Sequence, residues 1–501
     1  MTLKRMIEEK AKTHADKAVI VYQKQRISYS ELNQKANRIA HGLTKLGIQK
    51  GDRVALLLFN SPEFAISYFG IIKTGAIAAP MNTAYSPEAM DYTLRISEPK
   101  ILIVDSSLLD QVVPNLPQWP FIQNIVQVND ETTEFISFQR MLDDNPPTDL
   151  PFDPEPDLSA QIIYTSGTTG MPKGIEASQE GVYTGGLDMA KAYLQTEADI
   201  LPIFGLPLFH GAGLVQLLLG TMAVGGTSII ILGNGIEKLM EAISEEKCSI
   251  LMGLPWVYDA MASMSEAELR KYDCSSLHTC ITAGAPMPAA IVNRFKQRFG
   301  MDIISAYCCT EALAIVSIQP LDGSGKPGSV GKVLENYTFR LVDDDDKPLP
   351  PNQIGEICLQ GTSTFKGYFG NPHATKEALR GDWLYTADLG KLDEEGNLYI
   401  MGRKQDIIIV AGQRLYASDI DAVLYAFPGV TDAAVVGIPD PDKGEIVKAV
   451  LVLKKGVKAT EEEIIRFCHG KLPSNAIPGQ VEFRDSMPRT PSGKIRRFQL
   501  K

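Results

Sequence analysis

Residues 51–82 read GDRVALLLFNSPEFAISYFGIIKTGAIAAPMN, and the order of textures inside this stretch decides the fold class. VALLLF is a continuous apolar run of strand length, SPEFAISYFGIIKTG has the length and composition of a helix, and AIAAPMN is again a short apolar run. Strands that are apolar without alternation are buried on both faces of a sheet, as parallel strands are, and helices supply the crossovers. The pattern continues downstream through SPEAMDYTLRIS and KILIVDSS. Upstream, KAVIVY is a β-branched strand, followed by ISYSELNQKANRIAHGLTKLG, a helix for which Ser30 is the expected N-cap and Gly47 the C′ stop. The expected class is α/β.

A proline- and acid-rich connector, DDNPPTDLPFDPEPDLS (143–159), precedes a further apolar strand at Gln161–Tyr164 that runs into YTSGTTGMPKG (164–174). Three glycines allow close backbone approach, hydroxyls and free N–H groups donate to phosphate oxygens, and Lys173 adds a point charge. The loop fails the Walker A spacing, since Pro172 stands five residues after Gly167 and Ile175 five after Gly170. Its place at the carboxyl end of a strand, where open α/β sheets bind ligands, favours a polyphosphate site over a plain surface turn. Farther on, LVDDDDKPLPPNQIGEICLQG reads as strand, acidic turn and strand, a small barrel-like segment in which Asp343–Asp346 is a solvated turn. After about Asp406 the strands DAAVVGIPD and EIVKAVLVLKK and the helices SDIDAVLYAF and TEEEIIRFCHG make a unit of domain size.

The 501 residues suffice for more than one domain, and 44% hydrophobic with 22% charged side chains is globular composition. No apolar run is long enough to span a bilayer, and the charged N-terminus lacks a signal-peptide core, so a cytoplasmic protein without an integral membrane segment is expected. Seven scattered cysteines without a C-x-x-C pair, and histidines without ligand spacing, suggest neither a disulfide framework nor a zinc site. A net charge of −11 argues against a nucleic-acid partner and requires that any anionic ligand meet a locally basic site.

Taken in order, YTSGTTGMPKG, LPLFHGAG, TAGAPMP, AYCCTE, YTADLG, GRKQDIIIVAGQR and PRTPSGKI resemble the motifs of the adenylate-forming superfamily, which holds acyl-CoA synthetases, peptide-synthetase adenylation domains and beetle-type luciferases. The resemblance spans about Lys17 to Ile495. It implies a large multilayer N-terminal domain (1–402) with the ATP and acyl sites, a hinge (403–406) centred on Gln405, and a smaller mobile α+β C-terminal domain (407–501). It also implies ATP and coenzyme A as co-substrates and Mg²⁺ as cofactor.

Residue by residue, the resemblance implies that Thr165, Ser166, Gly167, Thr168, Thr169, Gly170 and Lys173 hold the β- and γ-phosphates. Thr310 would donate to the α-phosphate and Glu311 hold Mg²⁺, a hard cation suited to carboxylate and phosphate oxygens. Tyr307 would stack on adenine beside Gly284, Ala285 and Pro286, while Asp388 accepts from the ribose hydroxyls and Arg403 binds the ribose from the domain junction. Lys494 would bridge the carboxylate and the α-phosphate during adenylation, then withdraw as the small domain rotates. His210, Gly211, Ala212 and Cys308 would line the acyl pocket, with His210 gating it; Gly412 and Arg414 would serve the pantetheine arm and a coenzyme A phosphate.

The sequence departs from the family pattern in places. Cys308 stands where a glycine usually faces the acyl pocket and should narrow it; Ala387 replaces the glycine of T-G-D; Ser178-Gln179 replaces a threonine-histidine pair. LPLFHGAG lacks the aspartate with which amino-acid-activating relatives meet an α-ammonium. The expected substrate is therefore a carboxylic acid without an α-amino group, medium-chain or aromatic, activated by an acyl-CoA ligase. An enzyme loading a carrier protein is the alternative, and a non-catalytic nucleotide-binding relative the remote one, disfavoured because Lys173, Glu311 and Lys494 all remain. A homodimer is left open.

Overall fold

In the computed structural model the described residues are 1–129, 134–166 (Ser166 by its backbone alone), 171–489 and 495–501. The stretch 51–82 forms strand Arg53–Leu57, helix Pro62–Thr74 and strand Ile77–Pro80. Ser61 caps the helix by accepting from the Phe64 N–H, Pro62 occupies the first turn where its missing N–H costs nothing, and Gly75 ends it at φ +76°. The helix is buried on nearly all sides, which explains why it reads as apolar throughout rather than amphipathic. It packs on helix Tyr29–Lys45. That second helix starts two positions earlier than expected: its N-cap is Ser28, in a capping box with Glu31, and Ser30 lies inside the first turn. Gly47 has the expected positive φ, +85°.

Within the buried helix, Lys73 has no exposed side-chain surface, and its ammonium donates to Glu8 at 2.8 Å and Asp149 at 3.2 Å. This ties the N-terminal helix and the acidic connector to the core. Lys73→Met is expected to lower stability by about 2 kcal/mol, less than a fully buried pair would give because Asp149 is half exposed and Glu8 keeps Lys4. Thermal unfolding of the variant checks it.

Strands Arg53–Leu57 and Ile77–Pro80 sit at the centre of an eight-stranded sheet. Five of its neighbouring pairs are parallel, and the sheet turns antiparallel at one edge, where Ser159–Ser166, Pro172–Ser178 and Gly367–Tyr368 pair in succession. Thus residues 164–166 and 172–174 are paired antiparallel arms, with Thr165 registered against Lys173. A second, five-stranded sheet contains Thr279–Thr282 and Ile303–Cys309 side by side in parallel, and a four-stranded sheet contains Ala18–Tyr22. The expected acidic hairpin is present as Thr338–Val342 and Ile354–Gln360, inside an antiparallel sheet that continues through Trp383–Leu392 to Leu398–Arg403. These layers make the mixed α/β architecture.

Beyond Asp406 a separate five-stranded sheet carries helices Ala417–Tyr425 and Glu461–Cys468. The apolar clusters of the larger part extend no farther than Ile400, and those of the last sheet begin at Ile408. Polar contacts join the two sides instead. Asp344 accepts from Arg414 at 2.7 Å and lies 3.3 Å from the Lys404 ammonium, while Asp346 meets Arg380. The four-aspartate turn is therefore more than solvated surface, because two of its carboxylates anchor basic side chains of other strands. No helix among the described residues is long and apolar enough to cross a membrane.

Candidate active site

The expected site residues fall into three groups. The first is at the paired arms 164–166 and 172–174. Lys173 projects from its strand so that the ammonium lies 4.9 Å from the ring centroid of Tyr368, a residue of the neighbouring edge strand. Tyr368 donates its hydroxyl to Glu311 Oε1 at 2.9 Å. Glu311 itself stands in the single 3-10 turn Thr310–Ala312 that follows strand Ile303–Cys309. Burial, then the Glu311 charge, pushes the Tyr368 phenol well above its ordinary value, so it remains a donor at any working pH. Tyr368 was not singled out in the sequence. Its only local signal is KGYFGNP, a glycine-flanked aromatic before a turn.

The second group is a carboxylate held from two sides. Asp388 accepts from the Tyr307 hydroxyl at 2.6 Å, and its other oxygen lies 3.2 Å from Arg403 Nε, the residue registered against it on the next strand. Asp388 raises the Arg403 pKa, and burial followed by Asp388 holds the Tyr307 phenol protonated. A carboxylate has about four lone-pair sites, so two protein donors leave room for ribose hydroxyls. Ala387 beside it has φ +58°, the left-handed region, which costs a non-glycine residue about 1 kcal/mol and explains why glycine suits that position. The turn is held by buried Glu356, which accepts from the Ala387 N–H at 3.1 Å and from Lys404 at 3.1 Å. Sequence reasoning did not identify Glu356.

The third group lines a cavity of about 50 Å³. His210, Gly211, Ala212, Cys308, Gly284 and Thr310 all contribute to its wall, so residues expected on the acyl, adenine and phosphate sides share one space. Gly211 is close to Thr310, whose methyl would be 3.6 Å from a Cβ placed there. Gly213 admits no side chain, because a Cβ would lie 2.2 Å from the Pro207 carbonyl oxygen, and this close approach accounts for the last glycine of LPLFHGAG. The following helix, Ala212–Leu219, is a π-helix, a geometry that recurs at functional sites. His210 Nδ1 accepts from the Ala212 N–H at 3.3 Å. Ala285 and Pro286 follow Gly284 just beyond strand Thr279–Thr282.

The remaining expectations fall elsewhere. Gly167, Thr168, Thr169, Gly170 and Lys494 lie outside the described residues, as does the Ser166 side chain. Gln405 is exposed in the turn Lys404–Asp406. Gly412 has φ +77° and follows Ala411 at +49°, the pair of positive φ values that a two-residue type I′ hairpin requires. A turn requirement therefore accounts for Gly412 by itself. Arg414, expected to meet a phosphate, is paired with Asp344. Among the described residues no group of three or more His, Cys, Asp or Glu side chains forms a metal cage. Glu311 alone still fits Mg²⁺, which is bound by one or two carboxylates and completed by phosphates and water.

Comparison with known proteins gives the family. The AMP-binding enzyme model matches residues 7–369, and the AMP-binding enzyme C-terminal domain model matches residues 419–494. The chain therefore belongs to the AMP-binding, adenylate-forming enzymes, and its class is AMP-forming acid–thiol ligase. A long-chain-fatty-acid–CoA ligase of Bacillus subtilis (strain 168) is 30% identical over 530 residues, covering 100% of this chain and 94% of the relative. A feruloyl-CoA synthase of Amycolatopsis sp is 31% identical over 486 residues, covering 95% and 93%. Among solved structures, an anthranilate CoA ligase in complex with anthranoyl-AMP superposes with a TM-score of 0.92 at 28% identity, covering 100% of this chain and 96% of that one. ATP-bound MatB from Rhodopseudomonas palustris gives 0.91 at 29%, covering 100% and 98%. Members of this family use ATP and coenzyme A.

Proposed function

We propose that this enzyme activates a compact carboxylic acid, aromatic or of medium chain length, as an acyl-adenylate and transfers it to coenzyme A. The observation that carries the reading is the cavity. Its volume of about 50 Å³, several times the ~10–15 Å³ that one water position needs, leaves room for a single ring or the near part of a medium-length chain. Cys308 stands on its wall, and its side chain would take up space that a glycine there would leave open.

Thr165, Lys173 and Thr310 would supply cation and donors to the phosphates, offsetting the repulsion between carboxylate and ATP. Glu311 would hold Mg²⁺, which when bound neutralises phosphate charge. Asp388 and Arg403 would orient the ribose, and Tyr307, its hydroxyl fixed by Asp388, would present its ring to adenine. Lys494 would bridge carboxylate and α-phosphate in the first step. The break between apolar clusters at 400–408 and the exposed turn at Gln405 support a hinge at 403–406 between domains 1–402 and 407–501.

Tyr368 is then a positioning residue. Tyr368→Phe keeps the ring beneath Lys173 but removes the donor to Glu311. It should raise the Mg²⁺ concentration for half-maximal rate and lower kcat/KM about 10-fold, with little change in melting temperature. An unchanged Mg²⁺ dependence would remove Tyr368 from this role.

The whole reading is tested by a panel of carboxylic acids with ATP and Mg²⁺, following pyrophosphate release with and without coenzyme A and reading products by mass. Acyl-CoA from ring or medium-chain acids supports it. Adenylate without thioester would point to a carrier-protein thiol, and turnover confined to long-chain acids would overturn the compact-acid assignment.

A further inference from the structure

Gln216 stands inside the apolar run LVQLLL, in the middle of the π-helix Ala212–Leu219. It is 4% exposed, lines the cavity shared with Cys308 and Met252, and its Oε1 has no hydrogen-bond partner. Other buried polar atoms in the described residues also lack partners, but none of them belongs to a residue of this cavity wall. A buried amide oxygen without a partner, on a side chain that lines an apolar space, is unfavourable, and for a purely hydrocarbon ligand it would be a persistent loss. Leucine or methionine would serve such a ligand better at the same volume.

From this we infer that Gln216 reads a hydroxyl carried by the acid, so that the enzyme selects ring- or chain-hydroxylated acids over their unsubstituted counterparts. The inference rests on the acyl-pocket reading above and adds the substrate's chemistry to it. A hydroxyl is the matching group because it both donates and accepts, and so satisfies the amide whichever way its terminal torsion is turned. Position agrees with this. Gly211 adjoins Thr310 at the expected carboxylate end, and Gln216 lies five residues on, about one helical turn, which places the recognised hydroxyl away from the reacting carboxylate. The physical basis of selection is asymmetric. An acid with the hydroxyl pairs the amide, whereas one without it seals the amide off from water unpaired.

The test uses matched acids, a hydroxybenzoate or hydroxycinnamate against the same acid without the hydroxyl, on the wild-type enzyme and on Gln216→Leu and Gln216→Met. Binding of each acid by calorimetry and kcat/KM from pyrophosphate release are both read. Wild type should favour the hydroxylated acid about 10–100-fold in both measurements. The two apolar variants should lose or invert that preference and melt no lower than wild type. Equal affinity of wild type for the matched acids, or a preference unaltered in both variants, overturns the inference. Should no acid turn over while the Gln216-dependent binding preference persists, the ligase reading fails and the recognition of a hydroxyl by Gln216 stands.

Discussion

Glu311→Gln is expected to reduce acid-dependent pyrophosphate release about 10²–10³-fold while leaving the fold intact. The side chain sits in the one-turn helix after strand Ile303–Cys309, and its contact with the protein is the hydroxyl that Tyr368 donates to Oε1. A glutamine carbonyl accepts that bond equally well, so local geometry survives and only the negative charge is lost. Charge is what a hard divalent cation requires of a protein that offers it one carboxylate and leaves the rest to phosphate. The decisive measurement is a Mg²⁺ titration of rate beside a melting curve. A Mg²⁺ dependence shifted to higher concentration with an unshifted melting temperature is the expected pair of results. A loss of less than about threefold in rate would show that the cation is held elsewhere.

Asp388→Ala should act on both binding and stability. The carboxylate meets Arg403 on one oxygen and Tyr307 on the other. Its removal leaves the Tyr307 hydroxyl orphaned in a buried position and the Arg403 guanidinium, which is 40% exposed, to find water. The loss of stability should be about 1–3 kcal/mol, set mainly by the buried phenol. With two ribose acceptors also removed, KM for ATP should rise about 10–100-fold. Asp388→Asn separates the effects, since its carbonyl still accepts from Tyr307 and much of the stability should return, while Arg403 loses its counter-charge. ATP titrations of the two variants that match wild type would remove Asp388 from the nucleotide site.

How far the sequence led differs between residues of the same site. Thr310, Glu311, Asp388 and Arg403 were recognisable because each sits inside a short motif, and the motifs occur in one order along the chain. Tyr368 and Glu356 were not, although they touch Glu311 and the Asp388 turn directly. Their partners lie 57 and 31 residues away. Two-residue periodicity shows which face of a strand a side chain occupies but not which strand lies beside it. Arg414 shows the same limit in reverse: its charge was legible, but the carboxylate that holds it, Asp344, is 70 residues distant.

By itself the sequence determined the local elements and their class. Apolar runs without alternation set the parallel sheet, Ser-Pro entries and glycine exits set the helices, and short motifs set the chemistry near each strand end, because these depend on neighbours within a few residues. Even there a cap moved from Ser30 to Ser28, since the capping box with Glu31 satisfies one more backbone donor. Only the tertiary structure decided which groups meet. It brought Lys173, Tyr368 and Glu311 into one row, closed Asp388 between Tyr307 and Arg403, and left Gln216 unpaired in a small apolar cavity. The first two are contacts between segments far apart in the chain, and all three are fixed by sheet order, strand register and close packing rather than by local propensity.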